Sequence, residues 1–247
     1  MRDTGLLVSA ALMWLVVAGA ARWAPITVAQ PRDVVDRLTV ACFAGLVLGR
    51  LAAVLLDDRT SLRSWRSFLV IRGGVEFWPG VVAAFLVLVW QARRERTDVL
   101  SAVAQFAPFL LWGYSAFEAS CLFRGGCFGP PSPLGLVPDG LRTRMFPVGL
   151  VVALVVGVLG YVVRQFPATD TDKLLVALGG VATARSVASV WLPRLGVGPT
   201  RQHLESVTVA LFVVGAGSIV RVRAGLRGKA GTASTASPTD RRSATLE

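Results

Sequence analysis

Seven apolar runs, separated by short charged or Gly/Pro-rich links, divide this chain. They cover Gly5–Ala21, Leu38–Leu56, Val75–Trp90, Leu100–Cys121, Phe146–Val163, Leu174–Leu192 and Leu204–Val220. Several approach the ~20 residues that an α-helix needs to cross the hydrocarbon core of a bilayer. The expected architecture is all-α and polytopic, with about seven transmembrane helices and an irregular Gly/Pro-rich outer loop between spans four and five. The first run resembles the apolar core of a signal peptide. Arg2 and Asp3 cancel, however, and the run is long, so it is read as a retained span. The third run opens with Glu76 and carries Pro79-Gly80 in its first turns. Proline is tolerated at a helix start, which places that start near Phe77–Trp78.

Composition agrees with this pattern. The chain has 247 residues, of which 53% are hydrophobic and 17% charged, with a mean hydropathy of +0.60. Soluble globular chains do not look like this. One membrane domain, residues 1–220, accounts for the apolar runs, and residues 221–247 read as a basic, low-complexity, disordered cytoplasmic tail. The link Ser64–Arg72 mixes aromatic, apolar and basic residues as an interfacial segment would. The formal net charge is +11. In a soluble chain that would suggest nucleic acid. Here the basic residues lie between runs and in the tail, where positive-inside bias explains them, and no nucleic-acid partner is expected. Their distribution favours a membrane protein with its N-terminus outside and its C-terminus cytoplasmic. That orientation puts the loop after span four outside.

Among the charged residues inside or at the edge of apolar runs, four stand out: Arg50, Glu76, Glu118 and Arg185. Each would cost several kcal/mol if buried alone. Two arginines and two carboxylates can pair and offset much of that cost. Two readings stay open. The four could form a structural ion-pair network, or the arginines could line an outward-facing cavity suited to an anionic headgroup. Snorkelling to an interface is a further possibility for Arg50. Arg185 has small neighbours, which suits packing against other helices. If Arg50, Glu118 and Arg185 line one cavity, their charged groups should converge near the outer leaflet. Gly45 and Gly49, four apart on span two, would let a second helix approach closely.

The stretch Trp112–Pro147 contains Glu118, then the compact turn Arg124–Pro131, then a Pro/Gly-rich return to Phe146. It could form a polar pocket at the membrane surface or be a plain loop. Cys121 and Cys127 could form a disulfide on the oxidising side, or could be two small buried hydrophobes. With one histidine, His203, no metal site is expected. No cofactor is expected either.

The order of these motifs resembles the prolipoprotein diacylglyceryl transferase family. Leu48-Gly49-Arg50-Leu51-Ala52 is similar to the family's second-span Gly-Ala-Arg-Leu-Gly motif. Gly73-Gly74-Val75-Glu76-Phe77-Trp78-Pro79-Gly80 matches the frame of its Gly-Gly-x-x-Phe-His-Gly-Gly motif. The stretch Phe117–Gly129 keeps the length of the main signature and its last two glycines, Gly125 and Gly129. Phe146-Pro147 echoes a later His-Pro motif, and Arg185 falls where the family has an arginine on span six. The family's span-three histidine is Trp78 here, and its signature arginine is Glu118.

The resemblance implies a seven-span enzyme of the bacterial inner membrane that uses a phosphatidylglycerol-like membrane phospholipid and a prolipoprotein signal peptide. In such an enzyme the lipobox cysteine thiol attacks the glycerol carbon, and glycerol phosphate leaves. That chemistry needs cations for the phosphate and a base for the thiol. Arg50, Arg124 and Arg185 are the candidate cations, and Glu118 or Glu76 the candidate base. The two substituted positions equally fit an inactive paralogue that binds phospholipid or lipoprotein precursor.

Overall fold

The computed structural model describes residues 5–23, 31–57, 75–124, 127–138, 141–167, 169–191 and 200–234. Among these residues the chain is helical almost throughout. Seven long helices run in chain order: α1 (Gly5–Trp23), α2 (Pro31–Asp57), α3 (Phe77–Arg94), α4 (Val99–Ala119), α5 (Val148–Gln165), α6 (Asp170–Ala188) and α7 (Arg201–Ser234). Four stretches within them are long and apolar enough to cross a membrane: Asp33–Leu56, Val99–Phe123, Val148–Gln165 and Arg201–Arg221. Val8–Trp23 is a shorter apolar helix.

Helix ends follow local chemistry more closely than apolar runs do. α2 begins at Pro31, ahead of the apolar run at Leu38, with Asp33 in its first turn. α4 is capped by Asp98, whose side chain accepts from the Ser101 N–H at 2.9 Å. α6 starts at Asp170 because Thr169 caps it, accepting from the Asp172 N–H at 3.1 Å. Asp170 and Asp172 in its first turn also suit the helix dipole. α7 continues to Ser234, through the first part of the basic C-terminal stretch. The interfacial segment Ser64–Arg72 lies outside the described residues.

α4 is the central helix. One of its faces packs Val103, Phe106 and Phe109 into a core with Val17 and Ala21 of α1, Val34, Leu38 and Ala41 of α2, and Leu88 of α3. Another face packs Ala107 and Leu111 against Val148, Val152 and Val156 of α5, and Ala177 and Val181 of α6. Large side chains pointing away from both cores, such as Phe43, Leu154 and Phe212, are exposed, as a lipid-facing surface requires.

The seam between α2 and α3 depends on absent side chains. A Cβ on Gly45 would stand 2.8 Å from the Gly80 carbonyl oxygen, and one on Gly49 would stand 2.6 Å from that of Glu76. The pair Gly45 and Gly49 therefore makes a small-residue contact with the start of α3. The Glu76 N–H donates to the Gly49 carbonyl at 3.0 Å, a direct bond between the two backbones.

Between α4 and α5 the chain forms a short helical turn, Cys121–Arg124, and then an extended segment, Pro131–Leu136. Ser132 N–H donates to Arg144 O at 3.0 Å, and Phe146 N–H to Pro130 O at 2.9 Å, so this segment pairs with the return strand in antiparallel fashion. The expected irregular loop thus contains a small piece of β-structure.

Candidate functional site

The interior charges gather at one end of the bundle, on the side of the β-segment. Arg185, near the C-terminal end of α6, is the centre. Its Nη1 donates to Tyr114 Oη and lies 3.4 Å from Glu118 Oε1. Tyr114 Oη also donates to Glu118 Oε1, at 2.6 Å. Tyr114 and Glu118 are four apart on α4, so one helix face presents both. The guanidinium carbon of Arg185 stands 4.1 Å from the ring centre of Phe77, the first residue of α3, and the Phe77 and Tyr114 rings are 4.7 Å apart. Two helices, α3 and α4, thus place a phenol, a carboxylate and an aromatic face around a cation carried by a third, an arrangement that suits arginine.

A second pair stands beside the first. Glu76, buried at the N-cap of α3, accepts from Arg201 Nη2 at the start of α7. Arg201 also reaches Glu205, one turn along α7, at 3.7 Å. The Glu76 charge is close enough to act on both Arg185 and Glu205. Among the described residues, three buried atoms in this cluster have no hydrogen-bond partner: Arg185 Nε, Glu76 Oε2 and Glu205 Oε2. Buried polar atoms are rarely left so in a finished structure.

The remaining sequence candidates divide around this cluster. Arg50 is buried, with 5% of its surface exposed, and follows Gly49 at the α2–α3 seam, so it does not snorkel to an interface. Trp78 is buried and donates from Nε1 to Ser206 Oγ of α7 at 3.0 Å. Gly80 lies against Gly45. Cys121 and Cys127 are joined in a disulfide with Cα atoms 5.8 Å apart. That bridge rests on Gly149 in the first turn of α5, where a Cβ would stand 2.8 Å from Cys121 Sγ. Gly129 donates its N–H to Phe146 O at 2.7 Å, and its Cα packs under Trp191. Gly125 and the side chain of Arg124 lie outside the described residues.

A groove of about 720 Å³ lies next to the cluster, between α5, α6 and α7. Its walls are apolar, and it runs from Phe146 and Trp191 at the cluster end to Asp172 and Arg221 at the other. The groove and the charged cluster use different faces of α6.

These positions allow comparison with known proteins. A family model described as prolipoprotein diacylglyceryl transferase matches residues 2–219. The chain belongs to that family. It is also similar to a phosphatidylglycerol–prolipoprotein diacylglyceryl transferase of Nitratidesulfovibrio vulgaris (strain DSM 19637 / Miyazaki F), at 28% identity over 135 residues. That match covers 53% of this chain and 51% of the relative, so the chain spans about half the length of the curated relative it matches. The family is one of transferases in lipoprotein biosynthesis, and the apolar helices agree with its membrane-embedded character.

Several members of the cluster carried little signal in the sequence. Tyr114 is uncharged and sits in an apolar run, and only its spacing of four from Glu118 marks it. Arg201 and Glu205 fall at the edge of the last run, where a link was expected to supply ordinary surface charge. Their spacing of four was the available clue.

Proposed function

We propose that this protein transfers diacylglyceryl from a phosphatidylglycerol-like phospholipid to the cysteine thiol of a lipoprotein precursor. One observation carries the reading. Arg185 is held in the protein interior by Tyr114, Glu118 and Phe77, yet keeps one buried N–H, at Nε, without a partner among the described residues. A phosphodiester oxygen would satisfy that donor and meet a preformed cation. Arg50, buried on α2, and Arg124, within the signature stretch, are the further cations assigned to the headgroup. The apolar groove along α6 is suited to acyl chains, since it opens between helices and is lined mostly by apolar side chains, with Asp172 and Arg221 at the end away from the cluster.

In this reading all seven long helices cross the bacterial inner membrane, with the N-terminus outside and the C-terminus cytoplasmic. The Cys121–Cys127 disulfide supports an outer location for the loop between α4 and α5, because disulfides persist on the oxidising side. The phospholipid enters from the bilayer, and the precursor presents its cysteine from the outer surface. Its signal peptide lies in the membrane beside the bundle.

A second reading, an inactive paralogue that binds phospholipid or lipoprotein precursor, is favoured by a different observation. Where the family signature has an arginine this chain has Glu118, and that carboxylate already pairs with Arg185. Complementation separates the two. The cell's standard diacylglyceryl transferase is depleted, this chain is expressed, and the mass of a reporter lipoprotein is followed. Gain of a diacylglyceryl group supports the transferase. Absence of gain, with the protein folded in the membrane and phospholipid co-purifying, supports the binder.

A further inference from the structure

Transfer to a thiol needs a proton acceptor, and the two carboxylates that the sequence nominates are each paired with an arginine. Glu118 holds Arg185 and Tyr114, and Glu76 holds Arg201. The single imidazole of the chain is placed differently. His203 is half-buried in the first turn of α7, with Nδ1 2.7 Å from Ser189 Oγ. Ser189, buried, follows α6 and lies one helical turn beyond Arg185. It is on the side of Trp191 and Phe146, whose rings stand 6.5 Å apart.

The hydrogen-bond count at Ser189 decides the tautomer. A hydroxyl has one proton to donate. Ser189 Oγ donates it to the Ser186 carbonyl at 2.7 Å. It must therefore accept from His203, which puts the imidazole proton on Nδ1. In the neutral ring Nε2 then carries the lone pair. The orientation argues against Ser189 as a nucleophile, since its proton points away from the imidazole. The backbone at His203 is tied as well, its N–H donating to Thr200 Oγ1 at 3.3 Å. Three residues along α7, Ser206 receives the Trp78 indole N–H, so the ring stands within a turn of the contact that ties α7 to α3.

We propose that His203 Nε2 is the base that takes the proton of the acceptor thiol, an assignment that rests on the transferase reading above. The phosphodiester sits at Arg185, and the thiol arrives one turn nearer the outer surface, at His203. The thiol proton passes to Nε2. The thiolate sulfur forms a bond to the terminal glycerol carbon of the diacylglyceryl group, and the carbon–oxygen bond to phosphorus breaks. The bonding electrons leave on the phosphate oxygen, which takes the proton back from Nε2. The products are the thioether and glycerol phosphate, and the imidazole returns to its starting state.

The test uses the full chain in phosphatidylglycerol vesicles with a cysteine-containing lipobox peptide, with thioether formation read by mass. His203→Gln is expected to lower transfer by roughly 100-fold or more, the usual scale for losing a general base, while phosphatidylglycerol retention by native mass spectrometry is unchanged. His203→Ala is expected to recover part of its transfer on addition of free imidazole, which a merely structural role would not allow. Ser189→Ala, which frees the tautomer, is expected to lower transfer about 10-fold with lipid retention intact. The assignment is overturned if His203→Gln keeps transfer within about 3-fold of the parent, or if Glu76→Gln alone abolishes it. Loss of lipid retention in His203→Ala without imidazole rescue overturns it as well. A parent protein that makes no thioether in these vesicles sinks the transferase reading itself, and this assignment with it.

Discussion

The two interior ion pairs, Glu118–Arg185 and Glu76–Arg201, join different helices at the same end of the bundle, and they are built to different standards. In the first both side chains are largely buried, 15% and 17% exposed, and a phenol bridges them. In the second the carboxylate is buried at 5% exposure, but its arginine is 39% exposed and shared with Glu205. One pair is enclosed by Tyr114 and Phe77 and leaves Arg185 Nε without a partner among the described residues. The other opens to the surface and leaves a carboxylate oxygen without a partner among the described residues. Ion pairs that differ in burial differ in what their loss costs. Breaking a buried pair strands a charge, whereas an exposed partner is replaced by water and salt.

That contrast can be broken by removing one acid at a time. Glu118→Ala strands Arg185 among α3, α4 and α6, and should lower stability by about 3–5 kcal/mol. The check is the thermal or denaturant midpoint in detergent micelles. Tyr114→Phe removes only the bridging hydroxyl, a hydrogen bond to charged groups, and should cost about 1.5–3 kcal/mol in the same measurement. Glu76→Ala should cost about 1 kcal/mol, because the Arg201 it leaves behind is 39% exposed, keeps Glu205 and is met by water.

Salt sharpens the comparison. Between 0.1 and 1 M the screening length falls from about 10 to about 3 Å, so the cost of Glu76→Ala, which leaves the exposed Arg201, should shrink while that of Glu118→Ala stays. Equal salt response in the two variants would show that the pairs are equally solvated, against the exposures above. A smaller effect is expected away from both pairs. Thr169→Ala removes the α6 N-cap and should cost about 1 kcal/mol without altering salt response.

Much of the architecture was legible because apolar runs of span length have few alternatives in a chain of this composition. The runs at Leu100, Phe146 and Leu204 mark the starts of α4, α5 and α7 within a few residues. Gly45 and Gly49 announced a close helix contact, and the contact is there. The ends were less legible. Asp33, Thr169 and Asp170 extend their helices beyond the apolar stretch by capping and dipole interactions that hydropathy does not register.

At the site, Glu118 and Arg185 were nominated because a charge inside an apolar run is conspicuous, and the helices bring them together. Arg50 was nominated on the same ground and is buried, beside the α2–α3 seam. The pairing of Glu76 was invisible, since Arg201 follows a link whose path the sequence does not reveal. Tyr114 and Phe77 were hidden for another reason: in an apolar run an aromatic residue reads as packing until its hydroxyl or its ring face is seen against a charge.

One consequence of the fold concerns how a disturbance would spread. α4 is a party wall: the same helix faces the α1–α3 core with Phe109 and the α5–α6 core with Leu111. Tyr114 and Glu118 ride on its last turns. A void opened at Phe109, on the far side from Arg185, loosens a wall that both rooms share. The clasp on the arginine is therefore braced by residues that never touch it, and the N-terminal half of the chain acts as its buttress.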